Sequence, residues 1–217
     1  MPYRRTENVV RRLAAREQAI LDAATALAAN DGMGAVHIAG VAEHAGIAAG
    51  TVYRYFPAKT ELIAELVARV SADTLAAMRT AADAAPGPLS ALAAAIATLA
   101  TRALSARRLI WAALAEPIDA EANAARLDFR RALAAELETR IKLAVAGGHL
   151  PEQDARASAA AVLGALIEGL LGPLAPLPSE ETGARRAAVQ SATLLALRAL
   201  GVVDARARGL VVQCALP

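Results

Sequence analysis

The sequence predicts an all-α protein in which a small N-terminal helical domain is joined by a long helix to a larger helical domain. Hydrophobic residues make up 56% of the 217-residue chain, but aromatic residues make up only 3%. The apolar residues are mostly Ala, Leu and Val, and runs of β-branched residues, which favour strands, are scarce. Apolar residues recur instead at helical spacing along most of the chain.

The N-terminal region predicts a mobile arm, three helices and the start of a longer one. Gly32 is a typical helix stop, and Gly46 turns the chain between two short helical patterns. Val52 and Phe56 are the predicted buried anchors of the third helix, and Pro57 suits the start of the fourth. The fourth helix continues past the needs of a three-helix domain, so it predicts a mechanical connection. The predicted bounds are 1–10 for the arm, about 11 or 16 to 30 for the first helix, and then 38–44, 49–55 and 59–84.

A Pro-Gly-Pro break at 86–88 precedes five further predicted helices. With the division placed at residue 58, the chain has two predicted domains, 1–58 and 59–217. The predicted helix bounds in the second domain are 89–104, 107–116, 120–146, 151–171 and 179–200, and residues 202–217 are predicted to form a strand-like or loose tail.

The composition speaks against several classes of function. The single cysteine, Cys214, allows no intrachain disulfide, and the three histidines lack a metal-binding spacing. No Gly-x-Ser-x-Gly elbow or phosphate loop is present. No apolar run is long and uninterrupted enough to cross a bilayer, and the N-terminus lacks the apolar core of a secretion signal. We therefore expect a cytoplasmic protein that is not an enzyme and holds no metal or cofactor.

Residues 45–62 carry the most functional information. After the turn at Gly46, a hydroxyl, two tyrosines and a guanidinium crowd into about one and a half turns of helix. Long polar side chains reach phosphates and base edges, and small residues beside them allow close approach to DNA. Five arginines also lie in residues 1–16, where they attract phosphate or belong to a solvated tail. The pattern predicts a helix that enters DNA.

The residues at 38–47, 50–56 and 59–62 together resemble the TetR family of bacterial transcriptional regulators. They read IAGVAEHAGI, GTVYRYF and KTEL. This is similar to the family order of a small-residue helix, a tight turn, a Gly-Thr-x-Tyr-x-x-Phe helix and a Lys-x-x-Leu helix start. The resemblance covers about residues 16–66. The remainder of the chain is similar to the family only in helical pattern and length.

The resemblance implies that the third helix is a recognition helix that lies in a groove of DNA. Ala49 and Gly50 would lie at its start against the groove. Thr51 would contact a phosphate or a base, and Arg54 would reach a base edge such as that of guanine. The same helix would then position the protein on the duplex and read part of its sequence.

Tyr53, Tyr55 and Lys59 are implied to hold backbone phosphates, with packing inside the small domain as the alternative for the two tyrosines. The chain departs from the family pattern at Ala48, where Ser often caps the recognition helix, and near His37, where Thr is favoured. The missing hydroxyl at Ala48 removes a cap worth roughly 1 kcal/mol. His37 caps its helix, contacts phosphate or faces solvent. Both positions belong to the candidate DNA interface.

The last two long helices predict a dimer surface. Residues 157–172 are rich in Ala, Gly and Leu, and Gly164, Glu168 and Gly172 recur every four residues to give a narrow face for another helix. Packing within the chain is the alternative, but a monomer would leave part of this apolar surface in water. The resemblance implies a homodimer with two helices from each partner in a four-helix bundle. The final helix contributes Val189, Leu194, Leu195, Leu197 and Leu200.

The resemblance also implies an effector pocket, mainly between about residues 88 and 148, for a small apolar or amphipathic molecule. Glu168 interrupts an apolar stretch, so it either pairs across a dimer or points into the pocket. Arg126 and Arg130 alternatively pair with carboxylates on their own helix. The candidate pocket residues are Arg102, Trp111, Leu114, Glu116, Arg126, Phe129, Arg130 and Glu168.

These observations predict a sequence-specific DNA-binding transcriptional regulator whose partners are double-stranded operator DNA, a second copy of the chain and a small effector, with no membrane. By the resemblance, the output is repression. It is relieved when the effector moves the long fourth helix and changes the spacing of two recognition helices. The alternatives are a helical interaction protein with a vestigial DNA head and a regulator without a small-molecule effector. Activation also stays open.

Overall fold

The computed structural model describes residues 7–116, 123–177 and 183–214, with the backbone alone at residues 7 and 8. In these segments every regular element is a helix, which confirms the predicted all-α class. A short 3₁₀ turn at Met33–Ala35 is the one non-α element of this part of the chain. The α-helices are α1 (Glu7–Asp31), α2 (Ile38–His44), α3 (Ala49–Tyr55), α4 (Lys59–Asp83), α5 (Pro88–Ser105), α6 (Arg107–Leu114), α7 (Asn123–Ala146), α8 (Ala155–Leu170), α9 (Ala184–Ala199) and α10 (Asp204–Gln213).

The first three helices form a head that buries its apolar positions against the start of α4. Ile20 of α1, Val41 of α2 and Val52 of α3 are fully buried, and Phe56 is 5% exposed. The predicted anchors of α3 are thus confirmed. Because each helix gives one apolar face to this core, the opposite face of α3 is left free for a partner.

Two predictions for the chain ends are wrong. Helix α1 already begins at Glu7, so residues 7–10 of the predicted arm are helical. The predicted strand-like tail contains α10 instead, because Ala207 and Val211 lie four residues apart and are buried in the core. The valine-rich composition of the tail concealed this helical spacing. The predicted starts of α7 at 120 and of α9 at 179 lie outside the described residues.

Helix α4 connects the head to the larger bundle and is fixed there by an ion network on α7. Glu136 is 7% exposed, accepts from Arg79 Nε at 2.9 Å and also accepts from Arg140 Nε at 2.9 Å. Arg140 Nη2 reaches Asp83 Oδ1, also at 2.9 Å. A buried carboxylate with two guanidinium partners tolerates little displacement, because separation would leave its charge uncompensated. Movement of α7 is therefore coupled to α4.

Helix α5 lies at the centre of the bundle, where it packs against α4, α7 and α9. Pro88 occupies its first turn, and most of its alanines and leucines are buried. Among the described residues it is the one helix long and apolar enough to cross a bilayer, and 56% of it is buried inside the fold. Its central position explains its apolar composition.

Candidate DNA interface, effector region and dimer face

Helices α2 and α3 form a helix-turn-helix whose turn is closed by backbone hydrogen bonds. Gly46 has φ +65°, a left-handed conformation that favours glycine. The Gly46 amide donates to Glu43 O at 3.1 Å, and the Ile47 amide donates to Ala42 O at 2.9 Å. This geometry gives α3 a fixed direction relative to α2, as a helix that must fit a groove requires.

The start of α2 is capped by His37. Its Nδ1 accepts from the Gly40 amide at 2.9 Å, while the side chain stays exposed. The cap predicted for His37 is therefore present, on a side chain that faces solvent, and its contact with phosphate stays a prediction. Ala48 stands at the N-cap of α3 with no side-chain hydrogen bond, as the missing hydroxyl predicts.

The exposed face of α3 consists of Gly50, Tyr53 and Arg54, spaced as one side of a helix. Tyr53 is 53% exposed. A Cβ built on Gly50 would meet no atom within 4 Å, so nothing of this chain covers that position. Tyr55 is half-buried and packs against the core, which gives it a structural role besides any contact with DNA. Thr51 and Lys59 are also half-buried.

A cleft of about 240 Å³ separates the first turns of α1 from the end of α3. We call it the α1–α3 cleft, and it is lined by Val9, Arg12, Leu13, Arg16, Arg54 and Tyr55. The Arg54 guanidinium carbon lies 5.6 Å from the centre of the Tyr55 ring. Sequence reasoning noted the basic residues before α2 but did not connect any of them with α3. The i, i+3, i+4, i+7 spacing of residues 9, 12, 13 and 16 was the available signal.

Glu116, a candidate pocket residue, joins the end of α6 to the head. Its carboxylate accepts from Arg108 Nη1 at 3.1 Å and Nη2 at 3.2 Å, and from the Met33 amide at 3.0 Å. Arg108 Nη2 also donates to Asp31 O at 2.8 Å. Gly32 allows this approach, since it has φ +89° and a Cβ there would lie 1.8 Å from Arg108 Nη2. We call these contacts the Arg108–Glu116 clamp.

The other candidate pocket residues lie in different parts of the larger domain. Leu114 and Phe129 are each 1% exposed and belong to the core. Arg102 Nε donates to Thr74 Oγ1 at 3.3 Å, and Arg126 Nη1 donates to Glu116 O at 2.6 Å. Trp111 is half-buried, Arg130 is exposed, and Glu168 Oε1 accepts from the Leu174 amide at 3.2 Å. Their role in binding an effector stays a prediction.

An apolar groove of about 980 Å³ opens between α8 and α9. None of the eight candidate pocket residues lines it. We call it the α8–α9 groove; residues 158–170 and 184–200 supply most of its wall, with Arg107 and Pro176 at one end. On α9, Leu195 is 61% exposed, whereas Val189, Leu197 and the C-cap Leu200 are buried within the chain.

The outer face of α8 carries small, uncharged residues. Ala157, Ala161, Gly164 and Ala165 are all exposed. The narrow face predicted from the four-residue spacing is shorter than expected, because α8 ends at Leu170 and Gly172 lies beyond it, buried. The result is a patch of small, exposed side chains on α8 beside an open apolar groove.

Sequence comparison finds relatives for the head of this chain. Residues 20–66 match the sequence family described as bacterial regulatory proteins, tetR family. Over 54 residues the chain is 50% identical to the HTH-type transcriptional repressor KstR of Rhodococcus jostii (strain RHA1). That match covers 25% of this chain and 26% of the relative, so it spans about a quarter of the curated relative's length.

Solved structures share the fold over nearly the whole chain. RolR in complex with resorcinol superposes with a TM-score of 0.68 and 21% identity, covering 96% of this chain and 98% of RolR. The transcriptional regulator FadR from Bacillus subtilis in complex with stearoyl-CoA superposes with a TM-score of 0.69 and 17% identity. That match covers 86% of this chain and 98% of FadR. At these identities the likeness establishes the fold of the larger domain and nothing finer.

Proposed function

We propose that this chain, whose residues 20–66 match the tetR family of bacterial regulatory proteins, is a sequence-specific DNA-binding repressor released from its operator by a small molecule. The observation that carries the proposal is the exposed face of α3. On the second helix of a rigid helix-turn-helix, Gly50, Tyr53 and Arg54 project away from a fully buried Val52. In this assignment, the head (residues 1–58) reads DNA and residues 59–217 bind the effector and the partner.

The proposed contacts with DNA divide by chemistry. Arg54 donates to a base edge, and Tyr53 donates its hydroxyl to a phosphate. Small residues at Ala48, Ala49 and Gly50 let the backbone approach the duplex. Thr51, Tyr55, Lys59 and the ring of His37 lie around them as further phosphate contacts.

A homodimer through α8 and α9 gives the chain two heads for two half-sites. The support is the patch of small, exposed residues on α8 and the α8–α9 groove, which an exposed Leu195 borders. Apolar surface of this kind is covered in most soluble proteins, and a two-fold axis covers it on both copies at once. Small side chains also let two helices pack closely.

We further propose that the effector acts through two connections between the larger domain and the head. One is α4, which the Glu136 network holds against α7. The other is the Arg108–Glu116 clamp, which joins α6 to the loop after α1. An effector that shifts α6 or α7 changes the distance between the two recognition helices. Coupling of about 1–3 kcal/mol between effector and operator is ordinary for such systems.

The effector is proposed to be apolar or amphipathic, because the bundle is built from Ala and Leu. RolR was solved with resorcinol and FadR with stearoyl-CoA, so this fold accepts ligands of both kinds. We propose that the protein has no catalytic role. We also propose that it lies in the cytoplasm, where it can bind chromosomal DNA.

The proposal is tested by selecting bound sequences from a random pool of duplex DNA with the full chain. We expect enrichment of two related half-sites with a fixed spacing. Arg54→Ala should weaken binding to the selected site by about 1–3 kcal/mol and relax the preference at one position of each half-site. Tyr53→Phe should cost about 1 kcal/mol without changing the preference.

Arg131→Ala is the matched control, because Arg131 is exposed on α7 outside the head. Repeating the selection with candidate small molecules tests the effector. If no sequence is enriched, or if neither head variant weakens binding while the control behaves like the wild type, the assignment of α3 is wrong.

A further inference from the structure

We propose that the α1–α3 cleft is an additional DNA contact, in which Arg12 and Arg16 of α1 hold backbone phosphates beside the recognition helix. This rests on the proposed DNA-binding function and extends it to a part of α1 that lies before the region shared with the tetR family, residues 20–66. The cleft is formed by one face of α1 and the last turn of α3.

The geometry brings positive charge from two helices together. Arg12 and Arg16 are four residues apart on α1, so their side chains leave the same face of that helix. Val9 and Leu13 share the face and line the cleft with them. Arg54 lines the other side, so three arginines surround a cleft of about 240 Å³.

Among the described residues, no carboxylate pairs with Arg12, Arg16 or Arg54. Other arginines of this part of the chain are neutralised within the fold, as Arg69 is by Asp22 at 2.6 Å and Arg79 by Glu136 at 2.9 Å. Unpaired like charges around a small cleft repel one another, and a bound anion removes that repulsion. The cleft is therefore built for an anionic group from outside the chain.

The position of the cleft identifies the anion as a DNA phosphate. When a recognition helix lies in the major groove, the sugar–phosphate backbones run along both of its edges. The cleft adjoins the end of α3, at such an edge. Guanidinium groups match phosphate oxygens in a bidentate geometry, which a solvated tail does not require.

The test measures the affinity of the full chain for a random-sequence duplex as a function of salt concentration. Each phosphate contact contributes about 0.9 to the slope of log affinity against log salt. The double variant Arg12→Gln/Arg16→Gln should lower that slope by about 1 to 2, and it should select the same half-sites as the wild type.

The control Arg206→Gln/Arg208→Gln removes two positive charges from α10, of which Arg208 is paired with Asp204, and should leave the slope unchanged. All these arginines are exposed, so thermal melting should find both double variants folded. Calorimetry with inorganic phosphate separates a free-anion site from a DNA contact.

If the wild type binds duplex DNA with a salt-dependent affinity and Arg12→Gln/Arg16→Gln keeps the same slope, the inference is overturned and the proposed function stands. If the double variant keeps the slope but no longer binds inorganic phosphate in calorimetry, the inference is also overturned, and the cleft is a site for a small anion. If the wild type binds no duplex DNA at any salt concentration, the proposed function itself fails, and the inference fails with it.

Discussion

Truncating Glu116 should detach α6 from the head. In Glu116→Ala the Met33 amide loses its acceptor, and Met33 is 1% exposed, so a buried donor left without a partner costs about 1–3 kcal/mol. The lost ion pair with Arg108 adds little, about 0–1 kcal/mol, because the Arg108 side chain is 40% exposed. The unfolding free energy should therefore fall by about 2 kcal/mol. Glu116→Gln keeps an acceptor oxygen but loses the charge. Its free energy of unfolding should lie between those of the wild type and Glu116→Ala.

Urea unfolding followed by circular dichroism measures these changes. All variants must be compared at one protein concentration, because dimerisation adds to the apparent stability. Glu138→Ala is the matched control, since that carboxylate pairs with Lys142 one turn away on α7 and should cost only about 0.3–0.5 kcal/mol. A loss for Glu116→Ala no larger than that of the control would refute the clamp as a connection between α6 and the head.

Two further predictions concern the dimer and the C-terminal helix. Light scattering should show Leu195→Asp as a monomer of 22.2 kDa, where the wild type is a dimer of twice that mass. The control Leu143→Asp, at an exposed leucine of α7, should stay dimeric. If Leu195→Asp were also dimeric, the proposed dimer face would be wrong. Hydrogen bonds from Arg208 and Arg198 lower the pKa of Asp204, so its stabilisation is present above the ordinary carboxyl pKa and is lost as pH falls through the lowered value. The difference in Tm between wild type and Asp204→Asn should accordingly be present at neutral pH and disappear in strong acid, and a difference that persists there would contradict this pairing.

Much of the head could be predicted because its signals are local. The turn at Gly46 depends on one left-handed residue, and the burial of Val52 and Phe56 follows from helical spacing over a few positions. The exposed side of α3 then follows, because the same spacing that buries Val52 turns Tyr53 and Arg54 outward. The DNA contacts assigned to that face stay predictions.

The tail shows where a local signal misleads. Valine favours strands, yet α10 is stabilised by burial of Ala207 and Val211 against the rest of the fold. The dimer face shows a related limit. The sequence marked α8 and α9 as apolar, but only packing divided α9 into leucines that serve the core and Leu195, which faces outward.

The amino-acid sequence by itself determined the helical class, the helix-turn-helix and the chemistry of its outer face, since these depend on residues within a few turns of one another. Tertiary structure alone decided that Glu116 meets Met33, 83 residues earlier in the chain, and that α1 brings Arg12 and Arg16 beside Arg54. Such contacts depend on the relative position of whole helices. That position is set by the sum of many packing contacts, and no single sequence motif encodes it.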